Sequence, residues 1–179
     1  MVITKKKHHS ETETHIIRRI IFDIANYAFH NCRDCIPKLE NIDLIFATIP
    51  GDYEILGIAD NSLYKKLSEN DRKRYKEQYL IPELIYEAPA GVQADDFLLT
   101  FSYTNNDYIS SNDQFMDHEW PPRDWIISHR IPFMIIKKQL ILRFPNGLTQ
   151  IQIMEKKRTT LDVLSDIEKS DKNSDWDLY

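Results

Sequence analysis

Apolar residues along this chain come in short, dense runs, and an acidic residue closes several of them. His15 to Asp23 carries Ile16, Ile17, Ile20, Ile21 and Phe22 in near-continuous succession, the pattern of a strand buried on both faces. Tyr53 to Ala59 is a second strand and ends at Asp60; Leu84 to Tyr86 is a short third, Tyr108 to Ser111 a fourth and Pro132 to Ile136 a fifth. Between them the period changes. After a polar loop at 29–36, Pro37 suits a first helical turn, Ile42, Ile45, Phe46 and Ile49 form a helical stripe, and Pro50-Gly51-Asp52 stops it. A charged helix runs from Ser62 to about Tyr79 with Leu63, Leu67, Tyr75 and Tyr79 as its apolar side, and Pro82 ends it. Another opens near Asp95 with Phe97, Leu98, Phe101 and Tyr103 inward. Asn105-Asn106-Asp107 is a turn, and Pro121-Pro122 starts a short helix bearing Trp125 and Ile126. Gln139 to Phe144, then Asn146-Gly147, then the alternating Leu148 to Met154 predict a β-hairpin.

Strands alternating with helices predict an α/β fold: an open parallel sheet with helices on both faces, followed by the C-terminal β-hairpin. Residues 1–14 read as a flexible leader, 15–158 as one domain and 159–179 as an acidic, disordered tail with at most a turn or two of helix around Leu161, Leu164 and Ile167. A chain of 179 residues is long enough to bury a sizeable core. No run of about 18 apolar residues exists, so no membrane span is expected. The leader lacks the apolar centre of a signal peptide, which makes the cytoplasm the expected compartment.

Charge narrows the picture only slightly. The formal net charge is −5, and the tail from Leu161 holds six acids against Lys169 and Lys172. The body is therefore close to neutral, with basic clusters at 5–7, Arg18-Arg19, Lys65-Lys66 and Arg72-Lys-Arg-Tyr-Lys76. A nucleic-acid partner is allowed by this distribution, with Arg72, Lys73, Arg74 and Lys76 as the candidate contacts, although a charged helix face is also what plain solvation needs. Cys32 and Cys35 form a CxxC with no second pair to complete a zinc site, and two free thiols is the simpler reading.

The candidate chemistry lies in the acids. Asp23 and Asp60 end strands, Asp95-Asp96 opens a helix, and Ser111-Asn112-Asp113 follows the fourth strand with Asp117 four residues on. Any one of these is ordinary as a turn or cap residue. Parallel strands place their carboxyl ends along one rim, so these acids can converge there, and Asp113 and Asp117 share a face if their segment is helical. Carboxylates gathered at a buried rim repel one another unless a cation stands among them, and oxygen donors suit Mg²⁺ or Mn²⁺. Such ions serve phosphoryl chemistry. No phosphate loop, GxGxxG, GxSxG or HExxH competes. His118 is a ligand or acid candidate with no evident partner, and Tyr27 and Trp120 are aromatics that a single-stranded RNA could stack on if they are not simply packed.

Phe22-Asp-Ile-Ala-Asn26, Ile58-Ala-Asp60, Ala88-Pro-Ala-Gly-Val-Gln-Ala-Asp-Asp96, Ser111-Asn-Asp-Gln-Phe-Met-Asp117 and Arg130-Ile-Pro-Phe-Met-Ile135 resemble the NYN branch of the PIN-like nucleases. The ribonuclease domain of the CCCH zinc-finger (regnase-type) endoribonucleases and its stand-alone archaeal relatives is the nearest likeness, over roughly residues 16–145. The resemblance implies a PIN-like parallel sheet in strand order 3-2-1-4-5 and metal-dependent endonucleolytic cleavage of RNA that leaves a 3′-hydroxyl. Carried over, it makes Asp23, Asp96, Asp113 and Asp117 the catalytic, metal-holding carboxylates. Asn26, Asp60, Asp95, Ser111 and Asn112 become supporting residues, Asp60 at the periphery. Two departures stand out: Ile24-Ala25 replaces the Gly-Ser of many relatives, and Met116 stands where an arginine is usual. No CCCH finger is present. RNA is the partner so implied, and a homodimer is allowed. A catalytically inactive PIN-like RNA- or protein-binding module is the alternative, and a receiver-like or phosphatase-like Mg²⁺ domain is a further one that leaves the SND-x-x-x-D element unexplained.

Overall fold

The computed structural model of the chain describes residues 19–49 and 53–145, with the backbone alone of 151–154. The leader, the strand start at 15–18, the stop at Pro50 to Asp52, the Asn146-Gly147 turn and the acidic tail lie outside those residues.

Strand β1 (Arg19–Asp23) is the centre of a five-stranded sheet in the order β3-β2-β1-β4-β5. It pairs in parallel with β2 (Glu54–Ala59) on one side and β4 (Tyr108–Ser110) on the other. The alternation of β1 explains its uniform apolarity. Ile20 and Phe22 enter one core, together with Ile42, Ile45, Leu63, Tyr75 and Leu140. Ile21 enters a second core on the opposite face, with Leu98, Leu99, Phe115 and Ile126. Both faces of this strand are thus buried, as its sequence requires.

Two short helices, α1 (Ile24–Ala28) and α2 (Leu39–Thr48), connect β1 to β2. Helices α3 (Asn61–Lys66) and α4 (Glu69–Tyr75), with a π-helical turn over Lys76–Leu80, connect β2 to β3 (Ile85–Glu87). These pack on the first core. Helices α5 (Ala94–Asn105) and α6 (Arg123–His129) lead to β4 and β5 (Arg130–Ile131) and cover the second. Right-handed crossovers demand that switch of face, because the sheet grows first one way from β1 and then the other.

Three local expectations are corrected. The single helix expected from Ser62 to Tyr79 is interrupted at Leu67-Ser68, where the Ser68 hydroxyl accepts the Asp71 N–H at 3.2 Å and donates to the Asp71 carboxylate at 2.8 Å. Such a reciprocal cap starts a new helix. The fifth parallel strand is Arg130–Ile131, not Pro132 to Ile136. Pro132 has no N–H for the ladder, and after it the chain peels into a second sheet. There β6 (Phe133–Ile136) pairs antiparallel with β7 (Gln139–Leu142), and β7 with β8 (Ile151–Met154). The expected hairpin is the second half of this three-stranded sheet; its first half turns at Lys137 and Lys138, both with positive φ (50° and 62°). Among the described residues, no helix is long and apolar enough to cross a membrane.

Gly57 marks the tightest point of the main sheet. A Cβ there would lie 2.7 Å from Ile24 Cγ1 and 2.7 Å from Ile85 Cγ1, both on buried side chains. Gly57→Ala is therefore expected to lower stability by about 1–3 kcal/mol, typical of overpacking. Urea unfolding would read this as a lower midpoint at unchanged slope, and an unchanged midpoint would show that the two isoleucines can move aside.

Candidate active site

The order of strands reverses between β1 and β4, and in open parallel sheets the crevice beyond that point is where ligands bind. Asp23 ends β1 at this position. Its Oδ1 accepts the Asn26 N–H at 3.1 Å and so caps α1, while its Oδ2 accepts the Ser111 hydroxyl at 2.7 Å. Ser111 Oγ in turn accepts the Asp113 N–H at 3.0 Å. Asn26 Oδ1 accepts the Asn112 N–H at 3.1 Å, and Asn112 Oδ1 accepts the Phe133 N–H at 3.0 Å. These bonds tie β1, the loop after β4, and β6 into one rim.

Asp113 and Asp117 do not share a helical face. Residues 112–120 form an irregular loop, because the Asp113 carboxylate takes the Phe115 N–H at 2.7 Å and Phe115 adopts a positive φ of 51°. Local side-chain bonds of this kind compete with helix formation. Phe115 is buried in the second core and pins the loop there, leaving Asp113 and Asp117 exposed on either side.

Helix α5 brings the adjacent acids to the same crevice, and they face different ways. Asp95 is half-buried, and its carboxyl is pushed up from the ordinary value by burial and by the charges of Asp113, Asp117 and Asp96, with His118 opposing. Asp96 is open to solvent and accepts the Nδ1–H of His118 at 3.0 Å. The His118 Nε2 stands 3.7 Å from Asp117 Oδ1, so the imidazole bridges α5 and the loop. Sequence alone had no means of pairing His118 with an acid 22 residues away.

Asp23 is only 7% exposed. Burial raises its pKa to about 6 against the pull of its two hydrogen bonds, and the charges of Asp95 and Asp113 add to the rise. Asp60 behaves differently. It caps α3 by accepting the Ser62 N–H at 2.6 Å, which holds its pKa low, and the acid that feels its charge is Glu87. The structure therefore brings Asp23, Asp95, Asp96, Asp113 and Asp117 to one crevice and sets Asp60 beside Glu87.

The donor set is one that a hard divalent cation takes: several carboxylates, raised pKa values, and no lysine or arginine ion-paired with any of them among the described residues. Among the described residues, no three of these side chains stand in a finished ligating arrangement. Asp113, Asp117 and Asp96 are exposed at the crevice, Asp113 accepting the Phe115 N–H and Asp96 bonded to His118.

The other sequence candidates divide. Tyr27 is not an RNA-stacking residue: it is fully buried, donates or accepts at Ser110 Oγ over 2.7 Å, and stacks on Phe133 with ring centres 3.6 Å apart. Trp120 is 54% exposed, with its ring edge-on to Tyr103. Arg74 is ion-paired with Asp43 at 2.8 Å. Arg72, Lys73 and Lys76 line a separate concavity with Tyr64, Glu69, Glu77 and Ile81. Cys32 and Cys35 are free thiols.

A five-stranded parallel sheet in the order 3-2-1-4-5, with this crevice at the β1–β4 reversal, is a PIN-like fold. The chain is similar in structure to nuclear proteinaceous RNase P 2 (PRORP2) from A. thaliana, with a TM-score of 0.61 and 18% identity over 74% of this chain and 31% of that one. A second solved structure of Arabidopsis thaliana nuclear protein-only RNase P 2 gives a TM-score of 0.60 at the same identity and coverage. The chain thus spans about a third of the PRORP2 chain that it matches. No protein-family model and no curated protein matches it.

The raised Asp23 pKa has a stability consequence. An unfolded aspartate titrates near pH 4, at about 3.9. Folded Asp23 titrates at about 6, so stability falls as pH rises between these values and the full cost is present above pH 6. That cost is on the order of 3 kcal/mol in metal-free protein. Asp23→Asn keeps the α1 cap and removes the charge. In EDTA at pH 7.5 the variant is expected to be more stable than the parent by about 1–3 kcal/mol, with the difference vanishing toward pH 4. Urea unfolding at several pH values would test it, and a variant less stable than the parent at pH 7.5 would contradict the cost assigned to ionised Asp23.

Proposed function

We propose that the chain is a metal-dependent endoribonuclease whose centre is the crevice between β1 and β4. One observation carries the reading: the buried carboxylate Asp23, fixed at the strand-order reversal and faced by Asp95 and Asp113, has no cation to balance it among the described residues. Mg²⁺ or Mn²⁺ held by Asp23, Asp95, Asp113 and Asp117, with Asp96 alongside, would supply Lewis-acid stabilisation of the negative charge that grows on phosphorus oxygens during in-line displacement. The remaining roles belong to the chain. Ser111 and Asn26 fix the Asp23 carboxylate through both oxygens' hydrogen bonds. Asn112 holds the loop against β6, and His118 holds Asp96 on α5 beside Asp117. Arg72, Lys73 and Lys76 are the more distant basic surface that an RNA backbone would follow, with Arg74 committed to Asp43.

The likeness to PRORP2 supports the nuclease reading through the fold, and the regnase-type resemblance supports RNA as the polymer. Two outcomes are expected. Millimolar Mn²⁺ or Mg²⁺ raises the melting temperature, because a ligand that binds only the native state at 100 times its dissociation constant adds about 2.7 kcal/mol. Asp113→Asn reduces that rise. Gel-resolved cleavage of unstructured and structured RNA requires the metal and falls by more than a hundredfold in Asp95→Asn or Asp113→Asn, with folding intact. A loss below tenfold, about 1.4 kcal/mol of transition-state stabilisation, would remove that residue from the centre. RNA binding without metal response or cleavage would instead identify an inactive binding module.

A further inference from the structure

The loop Ser111–Phe115, which carries Asp113, is gripped on its backbone by two arginines from separate elements. Arg130, at the start of β5, donates its Nη1–H to the Ser111 carbonyl at 3.2 Å. Arg123, the first residue of α6, donates its Nη1–H to the Gln114 carbonyl. A guanidinium carries five N–H donors in a fixed fork, so one backbone bond each leaves most of the fork free. Neither arginine is ion-paired to a carboxylate among the described residues, although the other arginines that carry salt bridges there, Arg19 and Arg74, each reach an aspartate. The two cations also repel. Arg130 is half-buried, and burial, then the neighbouring Arg123 charge, lower its pKa against the attraction of Asp113.

Two like charges held against one loop repel, Asp113 offsets part of this at Arg130, and a further anion bound between the two guanidiniums would relieve the rest. Planar forks of this kind match phosphate oxygens in pairs. We infer that Arg123 and Arg130 form a phosphate clamp, which holds an RNA phosphodiester next to the acidic crevice and so sets the register of the strand on the cleavage centre. The inference rests on the nuclease reading for its ligand, and on the two arginine–loop contacts for its place. The two arginines come from α6 and β5, whereas Asp23 and Asp95 come from β1 and α5, and Asp113 on the loop lies between the two groups. Substrate positioning and metal holding are therefore carried by residues of different elements that meet at one loop.

The test is equilibrium binding of a labelled single-stranded RNA to the full chain in EDTA, over a series of salt concentrations, for the parent, Arg123→Gln, Arg130→Gln and Arg130→Lys. Each lost phosphate contact on a single strand should reduce the slope of log affinity against log salt by about 0.7. Both glutamine variants are expected to show that reduction, and to cleave RNA at least tenfold more slowly in Mn²⁺. Their metal-induced rise in melting temperature should equal that of the parent, a result that mere loosening of the loop would not give. Arg130→Lys keeps the charge and so the slope, and loses cleavage because a point charge cannot replace the fork. If Arg130→Gln fails to melt cooperatively, Arg123→Gln, on the first turn of α6, carries the test alone. A parent that binds RNA, with unchanged slope and cleavage in the glutamine variants, overturns the clamp and leaves the nuclease reading standing. Loss of the metal response in those variants overturns it in favour of a structural role. A parent that binds no RNA overturns both readings together.

Discussion

The reversal of strand order between β1 and β4 is the constraint on which the remainder of this molecule depends. Parallel neighbours joined by right-handed crossovers put their connecting helices on opposite faces once the sheet grows in both directions from β1. The chain therefore leaves β1 downward into one core and leaves β4 into the other, and the space above the two strand ends has no backbone to fill it. One hydrogen bond closes that gap: the Ser111 hydroxyl to the buried carboxylate of Asp23, 88 residues apart in sequence. Asn26 and Asn112 make a second link between the same two segments. A crevice with a polar floor results.

Burying Asp23 is unfavourable for folding, and the surrounding structure is arranged to tolerate it rather than to neutralise it. Its two hydrogen bonds lower the pKa, yet burial and the Asp95 and Asp113 charges win and leave it near 6. The contrast with Asp60 is informative. Both acids end a parallel strand and cap the following helix, but Asp60 is far less buried, so its hydrogen bonds to Ser62, helped by Lys66, outweigh burial and its pKa falls. The same sequence grammar, an apolar strand closed by Asp, thus produces an ordinary cap at one strand and a strained carboxylate at the next. Groups held at a cost in stability cluster where proteins bind or react, since the strain is relieved by the ligand.

Sequence periodicity made the central sheet legible because β1 must be apolar on every residue and the connecting helices must each offer a stripe. The strand order itself came from the family resemblance, since pairing between distant strands leaves no mark in local pattern. The errors share one cause: a backbone choice decided by a single residue. Pro132 ends β5 by lacking a donor, Ser68 restarts a helix by capping it, and Asp113 diverts its own loop into a turn through Phe115 N–H. Lys137 and Lys138 form a tight turn with positive φ although neither is a turn-former by type, so that hairpin gave no signal. The different surroundings of Asp95 and Asp96 were equally hidden. Adjacent helical residues point about 100° apart, as 3.6 residues per turn dictates, so Asp95 acts on Asp23 while Asp96 reaches His118.

The crevice combines one buried carboxylate with several exposed ones. Asp23 is locked through both oxygens, while Asp113 and Asp117 flank the buried anchor Phe115 on an exposed loop. A hard cation that retains part of its water shell suits this arrangement, because it needs one oriented donor to define its place and adaptable donors to complete its octahedron. The guanidiniums of Arg123 and Arg130 hold the loop through backbone carbonyls and not through its carboxylates, so a carboxylate can change rotamer without breaking either bond. On the nuclease reading, that independence allows the acidic wall to adjust to an ion while the basic wall keeps a phosphate in register. Phe115 is what makes the independence possible: its ring, 1% exposed in the second core, converts a nine-residue surface loop into two short arms with a common fixed point.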